Sequence, residues 1–380
     1  MSTTGRTDAS FADSLESAGF VRIVTRGDGD GLAAAGVLAR ALSARRTPFQ
    51  VTVGRTVDDR TTRAGDVDDR DGATEVVSIG PVDADTLALT DDERPSTLAA
   101  CEVVRELGVE PDLVLALAGT VAAGVEPGAG ETEHVLETAT ERGLLERRPG
   151  LALPTDDPAD LAASTLVRAP WSGNREATAE ALEEIEGDTG ADTRRRLASL
   201  VALEAVGTDE ASERAAHAIA RVLRPYATPA APFETLGGYA DVLEVVARAA
   251  PGTGVALALG HDVASAALEG WRKHGQQAHR ELEAASSGRY DGLSVFGVEG
   301  AVETVARLAA AYRSPEPLVA AIGEGEAAVA TTESRPLGGP IEAIARDIEA
   351  EYDVSRRRGY LRYDPQLDDS EIIDAIRGRL

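Results

Sequence analysis

The stretch that decides the fold is Val21-Arg-Ile-Val-Thr-Arg26-Gly-Asp28-Gly-Asp30-Gly31, which leads directly into the helix-forming run Leu32–Ala44. The residues before Arg26 are rich in β-branched side chains and predict a buried strand, and three glycines interrupt the chain just after it. In an open α/β sheet, ligands bind outside the carboxyl ends of the parallel strands. The sequence therefore places two carboxylates, Asp28 and Asp30, where such a sheet would hold a ligand.

The chain continues this alternation of strands and helices. Further strands are predicted at 49–53, 75–79 and 113–118, and helices at 31–44 and 95–107. Residues 54–73 are rich in Asp, Arg, Thr and Gly, and we predict a mobile loop there. Short apolar strands that alternate with helices are typical of a parallel sheet covered by helices.

The second half of the chain predicts a change of architecture. We expect a strand at 254–259, a long amphipathic helix at 262–285, and a Ser/Gly break at 286–291. A strand at 293–297 and a hairpin around Gly323-Glu324-Gly325 then repeat the α/β pattern. We therefore predict an α/β fold with a parallel-sheet domain (1–261, with a helical insertion at about 130–250), a linking helix (262–288) and a smaller C-terminal α/β domain (289–380).

The composition is strongly acidic. Among 380 residues, 65 are Asp or Glu and 38 are Lys or Arg, which gives a formal net charge of −27, and Lys273 is the sole lysine. One interpretation is an acidic protein that avoids nucleic acid. The other is a surface adapted to high salt, as in a halophilic archaeon. The acidic residues are spread over every segment, which favours the second interpretation.

Other features exclude several classes of protein. Cys101 is the single cysteine, so a disulfide framework is excluded, and its helical spacing from Leu98 and Val104 predicts a buried side chain. No apolar run reaches the ~18 residues that a membrane span needs, and the first residues do not resemble a signal peptide. We expect a cytoplasmic protein without a membrane partner.

The order of these motifs resembles the DHH phosphoesterase superfamily, and within it the archaeal RecJ-like branch of exonuclease-like proteins. The family's first motif, His-x-Asp-x-Asp-Gly after a strand, corresponds to Arg26-Gly-Asp28-Gly-Asp30-Gly31. Its Ala-Gly-Thr-x-x-Asp motif corresponds to Ala118-Gly119-Thr120-Val121-Ala122-Ala123. The resemblance implies a DHH-like domain, a C-terminal DHHA1-like domain, and phosphodiester hydrolysis by two divalent metals, usually manganese.

Several positions that would hold those metals differ from the family pattern. Arg26 replaces a histidine, and a guanidinium has no lone pair to offer a metal. Ser78 replaces the aspartate of the second motif, Ala123 replaces that of the fourth, and residues 81–95 contain no histidine. We therefore assign no catalytic residue and expect no cofactor, although Asp28 and Asp30 could still bind a hydrated manganese or magnesium ion weakly.

The resemblance extends to a RecJ-like subunit that activates the replicative helicase together with GINS and MCM. It implies a catalytically inactive scaffold in DNA replication or repair, with GINS, MCM and single-stranded DNA or RNA as partners. Phosphate contacts are predicted for five arginines, Arg26, Arg356, Arg357, Arg358 and Arg362; a solvated loop is the other interpretation of 356–358. Four glycines, Gly27, Gly29, Gly31 and Gly119, are assigned to the backbone geometry of the motif turns.

Two other functions stay open at this point. A divergent metal-dependent phosphodiesterase or single-strand exonuclease would need a rebuilt metal site from Asp28, Asp30 and either Asp83 or Asp85. A nucleotide-binding sensor would use the cleft between the two domains. A loose match of 242–248 to the family's Asn-Ala-x-Gly-Arg segment leaves Arg248 in register and puts Glu244 at the asparagine.

Overall fold

The first strand folds as predicted, but Gly29 and Gly31, which were assigned to the turn after it, lie in the first turn of the following helix. The computed structural model describes residues 11–66, 74–89, 94–185, 190–333 and 335–380. Helix α1 (Phe11–Ser17) precedes β1 (Phe20–Arg26), and α2 (Gly29–Arg45) begins three residues after β1 ends. The side chain of Asp28 accepts a hydrogen bond from the Gly31 backbone N–H, so Asp28 is the N-cap of α2.

The N-terminal sheet has four parallel strands. They are β1, β2 (Phe49–Gly54), β3 (Thr74–Ile79) and β4 (Leu87–Leu89), in the spatial order β2-β1-β3-β4. The chain leaves β1 towards β2 on one side and later towards β3 on the other. The crevice between the carboxyl ends of β1 and β3 is therefore a topological switch point, the place where open α/β sheets bind ligands.

Two segments predicted as strands are helices. Residues 113–118 belong to α5 (Leu113–Ala122), and 254–259 lie almost entirely in α11 (Pro251–Ala258). Helix α5 is buried nearly all round, so its apolar run carries no helical period. The missed signal was Asp112, whose side chain accepts hydrogen bonds from the Val114 and Leu115 N–H groups as an N-cap.

The role predicted for Gly119 is corrected by the same finding. Gly119 lies inside α5 rather than in a turn, and it is needed for close helix packing. A Cβ atom at this position would lie 2.5 Å from the Ala33 Cβ on α2 and 2.3 Å from the Thr97 Oγ1 on α4 (Ser96–Glu106). The predicted mobile loop is also partly wrong, because α3 (Val57–Gly65) begins there with Thr56 as its N-cap; residues 67–73 lie outside the described residues.

Helices dominate the middle of the chain, as predicted. They are α6 (Thr132–Glu141), a 3-10 helix (Pro158–Ala163), α7 (Arg175–Leu182), a 3-10 turn (Glu183–Ile185), α8 (Ala191–Gly207), α9 (Ala215–Val222) and α10 (Leu236–Ala249). Two short strands, β5 (Glu146–Arg147) and β6 (Tyr226–Ala227), pair antiparallel. The long predicted helix is α12 (Ala264–Ala284). No helix among the described residues is both long and apolar enough to cross a membrane.

A six-stranded mixed sheet forms the C-terminal part. Its elements are β7 (Ser286–Tyr290), β8 (Leu293–Gly297), α13 (Val302–Tyr312), β9 (Leu318–Gly323), β10 (Glu326–Thr331), α14 (Gly338–Asp347), β11 (Glu351–Ser355), β12 (Arg358–Arg362) and α15 (Asp369–Arg379). The strand order is β11-β12-β10-β9-β8-β7. Strand β7 occupies the segment predicted as a break. The exact domain limits stay a prediction.

Candidate functional site

Arg26 lies in the crevice at the carboxyl end of β1. Its Nε is 3.0 Å from the Asp28 Oδ2, and its Nη2 is 3.0 Å from the Asp353 Oδ2 on β11. The same Nη2 donates to the Val354 carbonyl at 2.7 Å. Burial by itself lowers the pKa of Arg26, but the charges of Asp353 and Asp28 raise it above its ordinary value. Arg26 is therefore a permanent cation at the switch point, bound to both halves of the chain.

The Asp30 carboxylate lies in the first turn of α2 but caps another helix. Its carboxylate accepts hydrogen bonds from the Ser96 N–H at 2.7 Å, the Thr97 N–H at 3.0 Å and the Thr97 hydroxyl. Pro95, at the N-cap position of α4, offers no side-chain bond of its own, so Asp30 supplies the cap from a distant part of the chain. Burial, and then the charge of Asp28, raises the pKa of Asp30 to about 6, while its hydrogen bonds act in the opposite direction.

These contacts test whether a divalent metal fits the crevice. The Asp28 carboxylate contacts Arg26 and also accepts a hydrogen bond from the start of α2. Both oxygens of the Asp30 carboxylate accept hydrogen bonds from the start of α4. The Ser78 hydroxyl is 2.7 Å from the Thr86 hydroxyl, and Ala123 ends α5 without a ligand atom in its side chain. Within the described ranges, no group of three or more His, Cys, Asp or Glu side chains could hold a metal ion. The donor set does not fit a two-metal centre.

A second buried carboxylate, Glu244 on α10, organises the other side of the crevice. It is 2% exposed, and its Oε2 accepts from the Gly29 N–H at 2.8 Å. Its Oε1 is 2.8 Å from the Arg248 Nη1, 3.8 Å from the Arg307 Nη1, and in direct contact with Arg358. Burial by itself raises the pKa of Glu244, but Arg248, Arg358 and Arg307 lower it well below its usual range.

Further ion pairs join the two sheets across the crevice. Arg60 on α3 is 2.7 Å from the Asp353 carboxylate, Arg248 is 2.8 Å from Glu303, and Arg55 is 2.9 Å from Glu303. Together these groups form the cleft network: Arg26, Asp28, Arg55, Asp59, Arg60, Glu244 and Arg248 on the N-terminal side, and Glu303, Arg307, Glu326, Glu351, Asp353, Arg358 and Arg362 on the C-terminal side. The network contains seven arginines and seven carboxylates, so it is close to neutral.

Comparison with known proteins shows which family the chain belongs to. Residues 285–378 match the family model "Uncharacterized protein rrnAC1427, C-terminal domain". The protein named "Uncharacterized protein rrnAC1427", from Haloarcula marismortui, is 43% identical over 392 residues, which cover 99% of each chain. The chain belongs to the rrnAC1427 family.

Solved structures show which fold this rrnAC1427-family protein has. RecJ from Thermus thermophilus, solved in complex with Mn²⁺, matches 97% of this chain and 54% of its own, with a TM-score of 0.50 and 16% identity. CDC45 from Entamoeba histolytica matches 97% of this chain and 96% of its own, with a TM-score of 0.57 and 8% identity. The rrnAC1427-family protein therefore has a RecJ-like DHH fold, and it spans about half the length of the bacterial RecJ.

The five arginines predicted to contact phosphate divide into two groups in this rrnAC1427-family protein. Arg26, Arg358 and Arg362 pair with carboxylates of the cleft network. Arg356 and Arg357 lie at the turn between β11 and β12 and have no carboxylate partner in the described part of the chain. Burial lowers the pKa of Arg357, and the neighbouring charges of Arg221, Arg356 and Arg358 lower it further. A role in nucleic-acid binding stays a prediction for all five.

Sequence reasoning missed two central residues of the site. Glu244 was not assigned to the site, although the loose motif match at 242–248 contained both Glu244 and Arg248. Asp353 had no motif around it, and it reaches Arg26 through the tertiary packing of β11 against the end of β1. Sequence reasoning assigned no role to the two histidines on α12. His279 is fully buried there, and its Nε2 is 2.8 Å from the Ser164 carbonyl.

From His274 and His279 we predict how the stability of the rrnAC1427-family protein depends on pH. Burial lowers the pKa values of His274 and His279 from 6.5 to about 4, so both stay neutral in the folded state while the unfolded chain binds protons. We expect the free energy of unfolding to fall as the pH decreases from 6.5 to 4. Asp30 partly offsets this loss, because its raised pKa makes the folded state bind a proton in the same range.

Urea midpoints measured at pH 7, 6, 5 and 4 test this expectation. His279→Gln should give a shallower dependence on pH than the wild type between pH 6.5 and 4. His134→Gln, at an exposed position on α6, is the matched control and should keep the wild-type slope. A His279→Gln profile parallel to that of the wild type would contradict the assignment.

Proposed function

We propose that this protein is a catalytically inactive RecJ-like protein that acts as a scaffold in DNA replication or repair. The observation that carries the proposal is the cleft network. Guanidinium groups fill the crevice at the carboxyl ends of β1 and β3, which the DHH resemblance assigns to two divalent metals. Metal-assisted hydrolysis needs the ion to polarise the phosphodiester and to activate water, and no other group among the described residues of the crevice supplies both functions.

The network also supports a closed crevice. Ion pairs join Arg26 to Asp353, Arg60 to Asp353 and Glu244 to Arg358, so the C-terminal sheet lies directly over the switch point. A nucleic-acid strand could enter only if several partly buried ion pairs separated, and each buried charge would then lose its partner. This arrangement favours a rigid two-sheet body that presents its outer surface to partners.

We propose GINS and MCM as the protein partners, because the resemblance to the RecJ-like helicase-activating subunit implies them. For nucleic-acid binding, we propose Arg356 and Arg357 as the contact residues, since they lie at the hairpin tip without carboxylate partners among the described residues. Arginine side chains of this kind bind phosphates and release counterions. Single-stranded DNA or RNA would then run along the outside of the β11–β12 hairpin rather than through the crevice.

The divergent phosphodiesterase finds less support. Asp83 and Asp85 are exposed in the connection from β3 to β4, and within the described residues they form no three-ligand group with Asp28 or Asp30. Localisation in the cytoplasm stays a prediction.

A nuclease assay tests the inactivity. The purified full chain is incubated with 5′-labelled single-stranded DNA or RNA and Mn²⁺ in high-salt buffer. We expect no release of mononucleotides above that of a sample without protein. Release that persists through purification and disappears in Asp28→Ala would contradict the proposal.

Affinity capture tests the scaffold role. The tagged protein is used to recover partners from source cells in high salt, and the eluate is identified by mass spectrometry. We expect GINS or MCM subunits in the eluate of the wild type and of Arg356→Gln/Arg357→Gln. In a separate fluorescence-anisotropy titration, that double variant should bind labelled single-stranded DNA more weakly than Arg346→Gln, a control at an exposed ion pair on α14. If the wild type captures neither GINS nor MCM and does not bind single-stranded DNA, the proposed scaffold role has no support.

A further inference from the structure

A cavity outside the cleft network lies where four parts of the chain meet. It has a volume of about 220 Å³ and is bounded by the 168–170 segment, the end of α8, the end of α12 and the end of α13. Ala169, Ala205 and Tyr312 provide an apolar wall, and the Tyr312 hydroxyl is turned to the Leu166 carbonyl at 2.6 Å. Concave sites with an apolar wall and a few convergent polar groups are typical ligand sites.

Two arginines supply the convergent polar groups. The side chains of Arg168 and Arg313 line the cavity and are only 12% and 18% exposed. Arg313 is fixed from behind, because its Nη1 donates to the Leu282 carbonyl at 2.7 Å and its guanidinium lies 5.9 Å from the Phe296 ring centroid. Such mostly buried cations need an anion beside them.

The anions now beside them come from the rim of the cavity. The Glu210 carboxylate lies between the two arginines, 3.0 Å from Arg313 and 3.8 Å from Arg168, and Glu283 is 2.5 Å from Arg168. These glutamates are 53% and 69% exposed. Ion pairs to such exposed, flexible side chains are weak, so a carboxylate from outside can take their place at low cost.

We propose that this cavity binds a small organic carboxylate, whose carboxylate group replaces that of Glu210 between Arg168 and Arg313. Its apolar part packs against Ala169, Ala205 and Tyr312. A carboxylate suits two guanidinium groups because it accepts paired, charge-assisted hydrogen bonds. A polyphosphate suits the site less well, since its additional charges would face Glu210 and Glu283. The volume lies below the usual range for drug-sized ligands and fits a small molecule or one acidic side chain.

Isothermal titration calorimetry on the full chain tests this site with benzoate, and with N-acetylglutamate α-amide as a mimic of an acidic side chain from a protein partner. We expect saturable benzoate binding by the wild type and none of neutral benzamide. Glu210→Gln should bind benzoate several-fold more tightly, because it removes the internal competitor. Arg313→Gln should lose binding, and Arg346→Gln should bind as the wild type does.

The two probes distinguish the source of the carboxylate. Tighter binding of benzoate supports a free metabolite, and tighter binding of the glutamate mimic supports an acidic side chain. If neither probe binds to the wild type or to Glu210→Gln, the proposal is overturned. Equal binding by Arg313→Gln and the wild type would also overturn it. Glu210→Gln alters a half-exposed side chain, so it keeps the test decisive even if Arg313→Gln fails to fold.

Discussion

Replacing Glu244 by alanine is expected to lower the free energy of unfolding by about 3–5 kcal/mol, the usual cost of removing one partner from a buried ion pair. The carboxylate is 2% exposed and contacts Arg248, Arg358 and Arg307. Its loss leaves these guanidinium groups without their shared anion and removes the acceptor for the Gly29 N–H. Urea denaturation of the wild type and the variant, followed by circular dichroism, measures the change.

The matched control for Glu244→Ala is Glu342→Ala. Glu342 forms an exposed ion pair with Arg346 one helical turn away on α14, at 2.8 Å. Pairs of this kind contribute about 0.3–0.5 kcal/mol, so the control should be nearly neutral. Glu244→Gln keeps an acceptor for Gly29 but removes the charge, and we expect it to be nearly as unstable as the alanine variant. Equal midpoints for Glu244→Ala and Glu342→Ala would contradict the central role of Glu244.

Asp30→Ala is expected to lower the free energy of unfolding by about 2–4 kcal/mol, because it removes the cap of α4 and leaves buried N–H donors without an acceptor. The affected donors are the backbone N–H groups of Ser96 and Thr97 and the Thr97 hydroxyl. Asp30→Asn should recover only part of this loss, since one oxygen can accept while the amide N–H₂ group faces other donors. Urea midpoints of the three proteins provide the measurement.

The same experiment with added Mn²⁺ separates a structural aspartate from a metal ligand. If Asp30 acts only as a cap, the midpoint of the wild type is the same with Mn²⁺ and with a chelator, at equal ionic strength. A ligand that binds the native state raises the midpoint by mass action. A rise with Mn²⁺ that is absent from Asp28→Ala and Asp30→Ala would contradict our assignment and favour a residual metal site.

The extent to which the sequence predicts this fold depends on the signals in each segment. Strand β1 and α2 were predicted correctly because glycines separate a β-branched run from an alanine-rich one, although the helix begins at Gly29, inside the segment predicted as a turn. Helix α5 was predicted as a strand because an apolar segment buried on most sides has no helical period. Helix α11 buries only Gly254, Leu257 and Ala258, but its short run of small and apolar residues hid that spacing. In both cases the cap carried the information: Asp112 at the start of α5, and Pro251 in the first turn of α11.

The candidate site was predictable only in its N-terminal half. Replacement of a metal-binding histidine by Arg26 could be seen in the motif itself. The partners of the replaced residues could not, because Arg26 and Asp353 are 327 positions apart and Glu244 and Arg358 are 114 apart. Ion pairs of this kind follow from tertiary packing and leave no periodic or local pattern in the sequence.

The large sequence separation between Arg26 and Asp353 also affects how the chain folds while it is being synthesised. The N-terminal sheet and α10 emerge first, with Arg26 and Glu244 already in place but most of their counterions still unsynthesised. Asp353 is synthesised 327 positions after Arg26, and domains generally fold in the order in which they are made. The nascent N-terminal part therefore stays hydrated and incompletely packed until β11 and β12 have been made and supply the partner charges.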